Sequence, residues 1–301
     1  IASGRTECIF QLESSGMKSF MKELKPGNLE DIIAGISLYR PGPMDFIPFY
    51  IRGKEHPENI KYDCPELEEI LAPTYGCIVY QEQVMQIVME LAGYTLGRSD
   101  LVRRAMSKKK AEVMEKERKN FVYGNELENV AGCIARGISE AVANKIFDDM
   151  TDFAKYAFNK SHAAAYAVVA YQTAYLKCFY PVEFMAALIS SVKDNSGKVS
   201  EYIMHCRQMG IVILPPDINE GYGDFSVKDG CIRYGLSALK NVGYTVINSL
   251  VEERDARGKF KDLYDFIHRC SEKTLNKRSI ENFIKGGALD SLGANRKQMM
   301  Q

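Results

Sequence analysis

The sequence predicts a mostly α-helical protein with one short β-hairpin in its second half. Three observations carry that expectation. Successive segments space apolar residues three and four apart, which lines one face of a helix. Ser and Asn stand where several such segments begin, and Pro or Gly where they end. One stretch, "DFSVKDGCIRYGL", has strand composition around an Asp-Gly turn.

Taken in order, "GMKSFMKELKP" puts Met17, Phe20, Met21 and Leu24 on one face and stops at Pro26. Asn28 is placed to cap "LEDIIAGISLYR", which must end before Pro41. "RPGPMDFIPFYIRG" reads as loop, because its prolines and glycine oppose long regular structure. "CPELEEIL" is a short helix. "GCIVYQEQVMQIVMELAGY" reads as an extended entry into a strong helix with Val84, Ile87, Val88 and Leu91 on its core face. "GRSDLVRRAMSKKKAEVMEKERKNFVYG" has Ser99 and Asp100 as its start signal. Ser139 caps the next amphipathic helix, "EAVANKIFDDMTDFAKYAF". "FNKSHAAAYAVVAYQTAYLK", "PVEFMAALISSVKDN" and "KVSEYIMHCRQMG" complete the helical run. The texture changes near Ile211: "ILPPDIN" is extended, the hairpin follows, and two short helical pairs close the chain. The expected segments are 1–210, 211–235 and 236–301.

Lys+Arg and Asp+Glu both number 39, so the chain is formally neutral. That argues against a nonspecific polybasic binder and is silent about local patches. The longest apolar run, 163–176, carries Gln172 and Thr173 and falls short of the ~20 residues of a membrane span, so no membrane partner is expected. None of the 8 cysteines forms a C-x-x-C pair, which opposes a structural zinc site; their scatter suits reduced thiols and a cytoplasmic location. The chain opens at Ile1 and closes on "GANRKQMMQ", and is expected to be a piece of a longer polypeptide.

Four constellations could carry chemistry. Residues 98–110 hold six basic side chains and one acid, Asp100. Adjacent Arg103 and Arg104 offer guanidinium forks suited to phosphate, and Lys108 and Lys109 add positive field; a solvated helix face is the alternative. The head of "FNKSHAAAYA" comes second. Asn159 or Ser161 can cap this helix, and its unpaired amides, Lys160 and the helix dipole would favour an anion beside His162. Its tyrosines are read mostly as core. The third is Arg40 in "SLYRPGPMDF", with Arg52 and Lys54 following: a rigid loop that either lines a polar site or is purely structural. The fourth is "LSALKNVGYTVINSL", two short helices around an Asn241-Val242-Gly243 turn. Such a helix-hairpin-helix turn offers amides to a DNA phosphate, with Lys240 beside it; an ordinary helical hairpin is the alternative. Gly286 and Gly287 mark a second, weaker copy. The acid cluster at 148–152 reads as surface, and no G-x-x-x-x-G-K-[ST] loop occurs.

"ECIFQLESSGM", "LYRPGPM", "GCIVYQEQVMQI", "LVRRAMSKKK" and "FNKSHAAAYAVVAYQTAYLKCFYPVEFMAAL" together resemble the helical fingers domain of the bacterial replicative DNA polymerase III alpha subunits, the C-family polymerases. "YGLSALKNVG" and "NKRSIENFIKGGALDSLG" resemble the tandem helix-hairpin-helix that follows it. The resemblance implies template-directed transfer of nucleotides from dNTPs to a primer 3′-hydroxyl. It assigns Arg103 and Arg104 to the triphosphate and Lys160, Ser161 and His162 to the nucleotide pocket, with His162 a candidate for excluding a ribose 2′-hydroxyl. Arg40 would lie near the active-site cleft. Lys240, Asn241 and Gly243, with Lys108 and Lys109, would contact primer-template DNA. Mg²⁺ would be bound by palm carboxylates that this sequence does not contain, so the chain alone is expected to hold no cofactor and to be inactive. Other holoenzyme subunits would be met through regions outside it. The rival readings are a non-enzymatic helix-hairpin-helix DNA-binding protein and an assembly module.

Overall fold

The computed structural model describes residues 1–107, 111–154, 156–270 and 275–301. The chain is mostly α-helical and divides into two compact units, Ile1–Ala174 and Tyr175–Gln301. The first unit runs α1 (Ser15–Leu24), α2 (Leu29–Leu38), α3 (Ile47–Glu55), α4 (Pro65–Leu71), α5 (Gln81–Ala92), α6 (Leu96–Ser107), α7 (Ala111–Tyr123), α8 (Glu140–Ala154) and most of α9 (Lys160–Phe179). Among the described residues no helix is long and apolar enough to cross a membrane.

Two apolar cores organise this unit. One gathers α4 to α8, with Val84, Ile87, Val88 and Leu91 fully buried as their spacing predicts. The other gathers α1 to α3 and α9, with Met17, Phe20, Met21 and Leu24 inside. An extended segment passes between them: Cys77 and Val79 belong to one core and Ile78 to the other, the alternation of a strand. It ends at Tyr80, which forms a parallel bridge with Phe158. That bridge sets the start of α5 beside the start of α9.

Several expectations need correction. "RPGPMDFIPFYIRG" is not all loop. A 3₁₀ turn, Pro43–Phe46, leads into α3, where Pro48 falls in the first turn and its missing N–H costs no helical bond. Lys54 on α3 serves structure: its Nζ reaches the buried Asp31 carboxylate at 2.8 Å and the carbonyls of Leu24 and Lys25 at 2.9 Å, tying α3 to α2 and the end of α1. Ser99 and Asp100 do not start α6. The helix begins three residues earlier, Thr95 accepts from the Arg98 N–H, and Ser99 is buried. On α9 the core face is Ala163, Ala167 and Ala170, whose small side chains let the helix pack closely, while Tyr171 and Tyr175 are exposed.

The second unit runs α10 (Pro181–Ser191), α11 (Ser196–Gln208), β1 (Ile213–Leu214), β2 (Ser226–Lys228), β3 (Cys231–Arg233), α12 (Tyr244–Arg257), α13 (Leu263–Arg269), α14 (Lys277–Gly286) and α15 (Arg296–Met299). The hairpin forms as predicted, pairing Val227 with Ile232 and turning on Asp229 and Gly230, both at positive φ as a two-residue turn requires. The sequence reading missed that β1 joins β3 in parallel, giving the order β1-β3-β2. Helices α10 and α11 pack on this sheet, so the compact units divide well before residue 210. A third core under α12 to α14 holds Leu236, Ile247, Phe266 and Phe283.

Candidate functional site

The bridge between Tyr80 and Phe158 organises the first unit's candidate site. The Gln81 N–H donates to the Phe158 carbonyl at 2.9 Å, and its side-chain amide to the Ala157 carbonyl at 3.1 Å. The remaining oxygen of that side chain accepts from Arg103 Nη1 at 2.8 Å, linking α6 to the approach of α9. Arg40 stacks over the Phe158 ring with 4.0 Å from guanidinium carbon to ring centroid, and donates to the Tyr156 carbonyl at 3.0 Å. His162 meets the same ring edge-on at 5.4 Å and lies 4.4 Å from the Tyr166 ring. Arg40, Arg103 and His162, far apart in sequence, are thus brought together around Gln81 and Phe158.

At the head of α9 the sequence leads one to expect free amides facing an anion; in the structure a carboxylate of the chain itself lies there. Asn159 caps the helix, accepting from the His162 N–H at 2.9 Å. The Glu82 carboxylate accepts the Lys160 N–H at 3.0 and 3.1 Å and the Asn159 side-chain amide at 2.9 Å. The amide of Lys160 is therefore not free: a carboxylate of α5 complements the positive helix end. Lys160 sends Nζ to Glu30 at 3.0 Å across the face of Tyr80. Ser161 is exposed at the same helix start.

The arginine pair is organised in the same way. Asp100 Oδ1 accepts from Arg103 Nε and Nη2 at 3.0 and 2.6 Å, and Oδ2 pairs with Arg104 Nε at 2.8 Å. Hydrogen bonding to Arg103, then the charges of both arginines, hold the Asp100 carboxyl below its ordinary range. Arg103 is largely covered, with 20% of its side chain accessible against 62% for Arg104. Asp100 is three and four residues before its partners, a spacing that signals such contacts. Gln81, Glu82, Glu30 and Phe158 carried no comparable local signal. Lys108 and Lys109 lie outside the described residues.

In the second unit the first hairpin turn follows a single 3₁₀ turn, Leu236–Ala238, instead of a full helix, and leads into α12. Asn241 takes the left-handed backbone expected of it, φ +60°. Gly243 does not need glycine's freedom: its φ is −76°, and a Cβ there would meet nothing within 4 Å. Its missing side chain leaves room outside the chain. Lys240 is exposed and makes no ion pair among the described residues, while Arg278 from α14 donates to the Asn241 side chain at 3.1 Å and adds a second cation to the turn. The second copy is closed. Gly287 at φ +83° ends α14, and Arg296, paired with Asp290, lies where a Cβ would stand.

The described residues contain no group of three or more His, Cys, Asp or Glu side chains able to hold a metal ion. Asp148, in the acid cluster, is paired with Arg118.

Residues 1–129 match the bacterial DNA polymerase III alpha subunit finger domain, and residues 210–299 match a helix-hairpin-helix motif. Among curated proteins, DNA polymerase III subunit alpha of Thermus aquaticus is 50% identical over 97% of this chain, that of Vibrio cholerae 48% over all of it, and that of Borreliella burgdorferi 44% over all of it. The chain covers 24% of the Thermus aquaticus protein and 26% of each of the other two.

Proposed function

We propose, from a chain that belongs to the bacterial DNA polymerase III alpha subunit family and spans about a quarter of its curated relatives, that it is the nucleotide-delivering and DNA-gripping part of a template-directed DNA polymerase. The observation that carries this reading is the convergence of Arg40, Arg103 and His162 around Gln81 and Phe158. In it, Arg103 and Arg104 hold the triphosphate of a dNTP by charge-assisted hydrogen bonds. Lys160, Ser161 and His162 line the sugar side at the head of α9, and Arg40 borders the same cleft. Lys240, Asn241 and Gly243 grip the phosphodiester backbone of primer-template DNA, with Lys108 and Lys109 adding positive field. Functionally the chain divides as 1–210 for nucleotide, 211–235 for connection and 236–301 for DNA.

Phosphoryl transfer of this kind draws on Mg²⁺ to activate a hydroxyl and stabilise the leaving group. In this reading the ion is held by carboxylates of the polymerase outside this chain. The chain's own part is to bind, orient and neutralise. Arg103→Ala in the full-length polymerase tests it. Loss of one charge-assisted contact is worth roughly 1.5–3 kcal/mol, or about tenfold to a hundredfold in kcat/KM for dNTP. Steady-state incorporation reads the change, and an unaltered kcat/KM removes Arg103 from the site.

A further inference from the structure

Asp100 occupies the edges that a phosphate would use. A guanidinium fork meets carboxylate and phosphate oxygens with the same paired N–H geometry. Arg103 spends the Nε and Nη2 edge of its fork on Asp100 Oδ1, and Arg104 directs Nε at Oδ2. One carboxylate thereby spans two guanidiniums and leaves the cluster one charge short of neutrality.

We propose that Asp100 is the resident counter-ion of the arginine pair and makes it selective for polyvalent phosphate. It holds both side chains when no nucleotide is bound, yields to an anion with several charges, and refuses anions with one. The inference rests on the reading of Arg103 and Arg104 as triphosphate ligands. Its physical basis is competition. Asp100 lies on the same helix as both arginines, so its effective concentration against them is that of an intramolecular partner, and a singly charged anion from solution replaces it with no gain. A triphosphate brings enough charge to hold both guanidiniums while the carboxylate turns away. The Asp100 side chain is 29% accessible, so rotation about its side-chain torsions toward solvent is the route by which it would release the pair.

The experiment uses the full-length polymerase on primer-template DNA at constant free Mg²⁺. Inhibition of dNTP incorporation by tripolyphosphate and by dimethyl phosphate, a singly charged anion, is measured for wild type, Asp100→Asn, Asp100→Glu and Arg104→Ala. Asp100→Asn is expected to lower the inhibition constant for dimethyl phosphate by about tenfold, the worth of one charged contact, and to lower that for tripolyphosphate less, so that discrimination shrinks. Asp100→Glu, which keeps the charge, is expected to retain discrimination. An unchanged ratio in Asp100→Asn, or weaker binding of both anions, overturns the proposal and leaves Asp100 a support for the arginines. A wild-type dNTP KM and inhibition profile in Arg104→Ala overturns the proposal too, by removing Arg104 as a phosphate ligand. The Arg103→Ala measurement tests the wider nucleotide reading separately.

Discussion

At the junction of α5, α6 and α9, Arg103 and Arg104 share Asp100, Lys160 reaches Glu30, and Glu82 covers the helix head. At the hairpin turn before α12, Lys240 stands exposed with no ion pair among the described residues. Both regions are candidate phosphate sites, built in opposite ways. A paired cation is already engaged by a carboxylate, so a ligand there must outcompete it, which favours high charge and defined geometry. An unpaired exposed lysine contributes a standing field that any phosphodiester feels and salt screens. The first arrangement suits selection of one small anion, and the second suits a sequence-blind hold on a backbone.

A cation paired for stability alone sets the far end of that comparison. Lys54→Ala leaves the Asp31 carboxylate, nearly wholly buried, without its counter-charge. The expected cost is about 3 kcal/mol or more, read as a lowered urea midpoint. A midpoint close to wild type would mean that the Gly27 N–H and the Tyr75 hydroxyl suffice for Asp31. Glu82→Gln comes next. It keeps the shape of the helix cap and removes its charge, so about 1 kcal/mol of stability should go, and the loss should shrink as salt is raised. A salt-independent change would break the link between Glu82 and the α9 dipole.

Lys240→Ala should leave folding intact and weaken primer-template binding whatever the DNA sequence, lowering the slope of log K against log salt by about 1. Titration of labelled DNA at several salt concentrations reads it, with Arg103→Ala/Arg104→Ala as the companion expected to keep the slope. A slope lost in the arginine variant would place DNA, and not nucleotide, on α6. The smallest effect concerns Glu220, which accepts from Lys228 and Lys259 and is pushed down to about 2, chiefly by those hydrogen bonds. An unfolded glutamate titrates near ~4.3. The pair therefore stabilises the fold above about pH 5, and that contribution fades as pH falls toward 2. Because both lysines are exposed, Glu220→Gln should cost under ~1 kcal/mol at pH 7. Paired denaturation curves from pH 7 to 2 should converge at the acid end; a constant offset would show that charge is not its origin.

The local features were legible in the chain itself. Met17, Phe20, Met21 and Leu24 declare a buried face, Asn28 declares a cap, and Asp229-Gly230 declares a turn, because each depends on neighbours within about four residues. The cationic residues of the candidate site were legible as residue types. Their partners were not, apart from Asp100, whose spacing to Arg103 and Arg104 was in view but was read as a helix start. Helix α3 was missed for a related reason. A proline is read as a breaker until its place in the first turn is known.

The sequence by itself determined the helical class, most helix faces and caps, and where positive charge accumulates, since all of these follow from local periodicity and composition. Only the tertiary structure decided that Tyr80 pairs with Phe158, that Glu82 reaches the head of α9 across 78 positions, that Gln81 joins Arg103 to that head, and that Lys54 neutralises Asp31. Those contacts join residues that no short-range pattern connects. They form because the burial of two apolar cores, with the extended segment between them, brings these polar groups within reach of one another. Hydrophobic burial sets the distances, and hydrogen bonds and charge select among the groups it brings within reach.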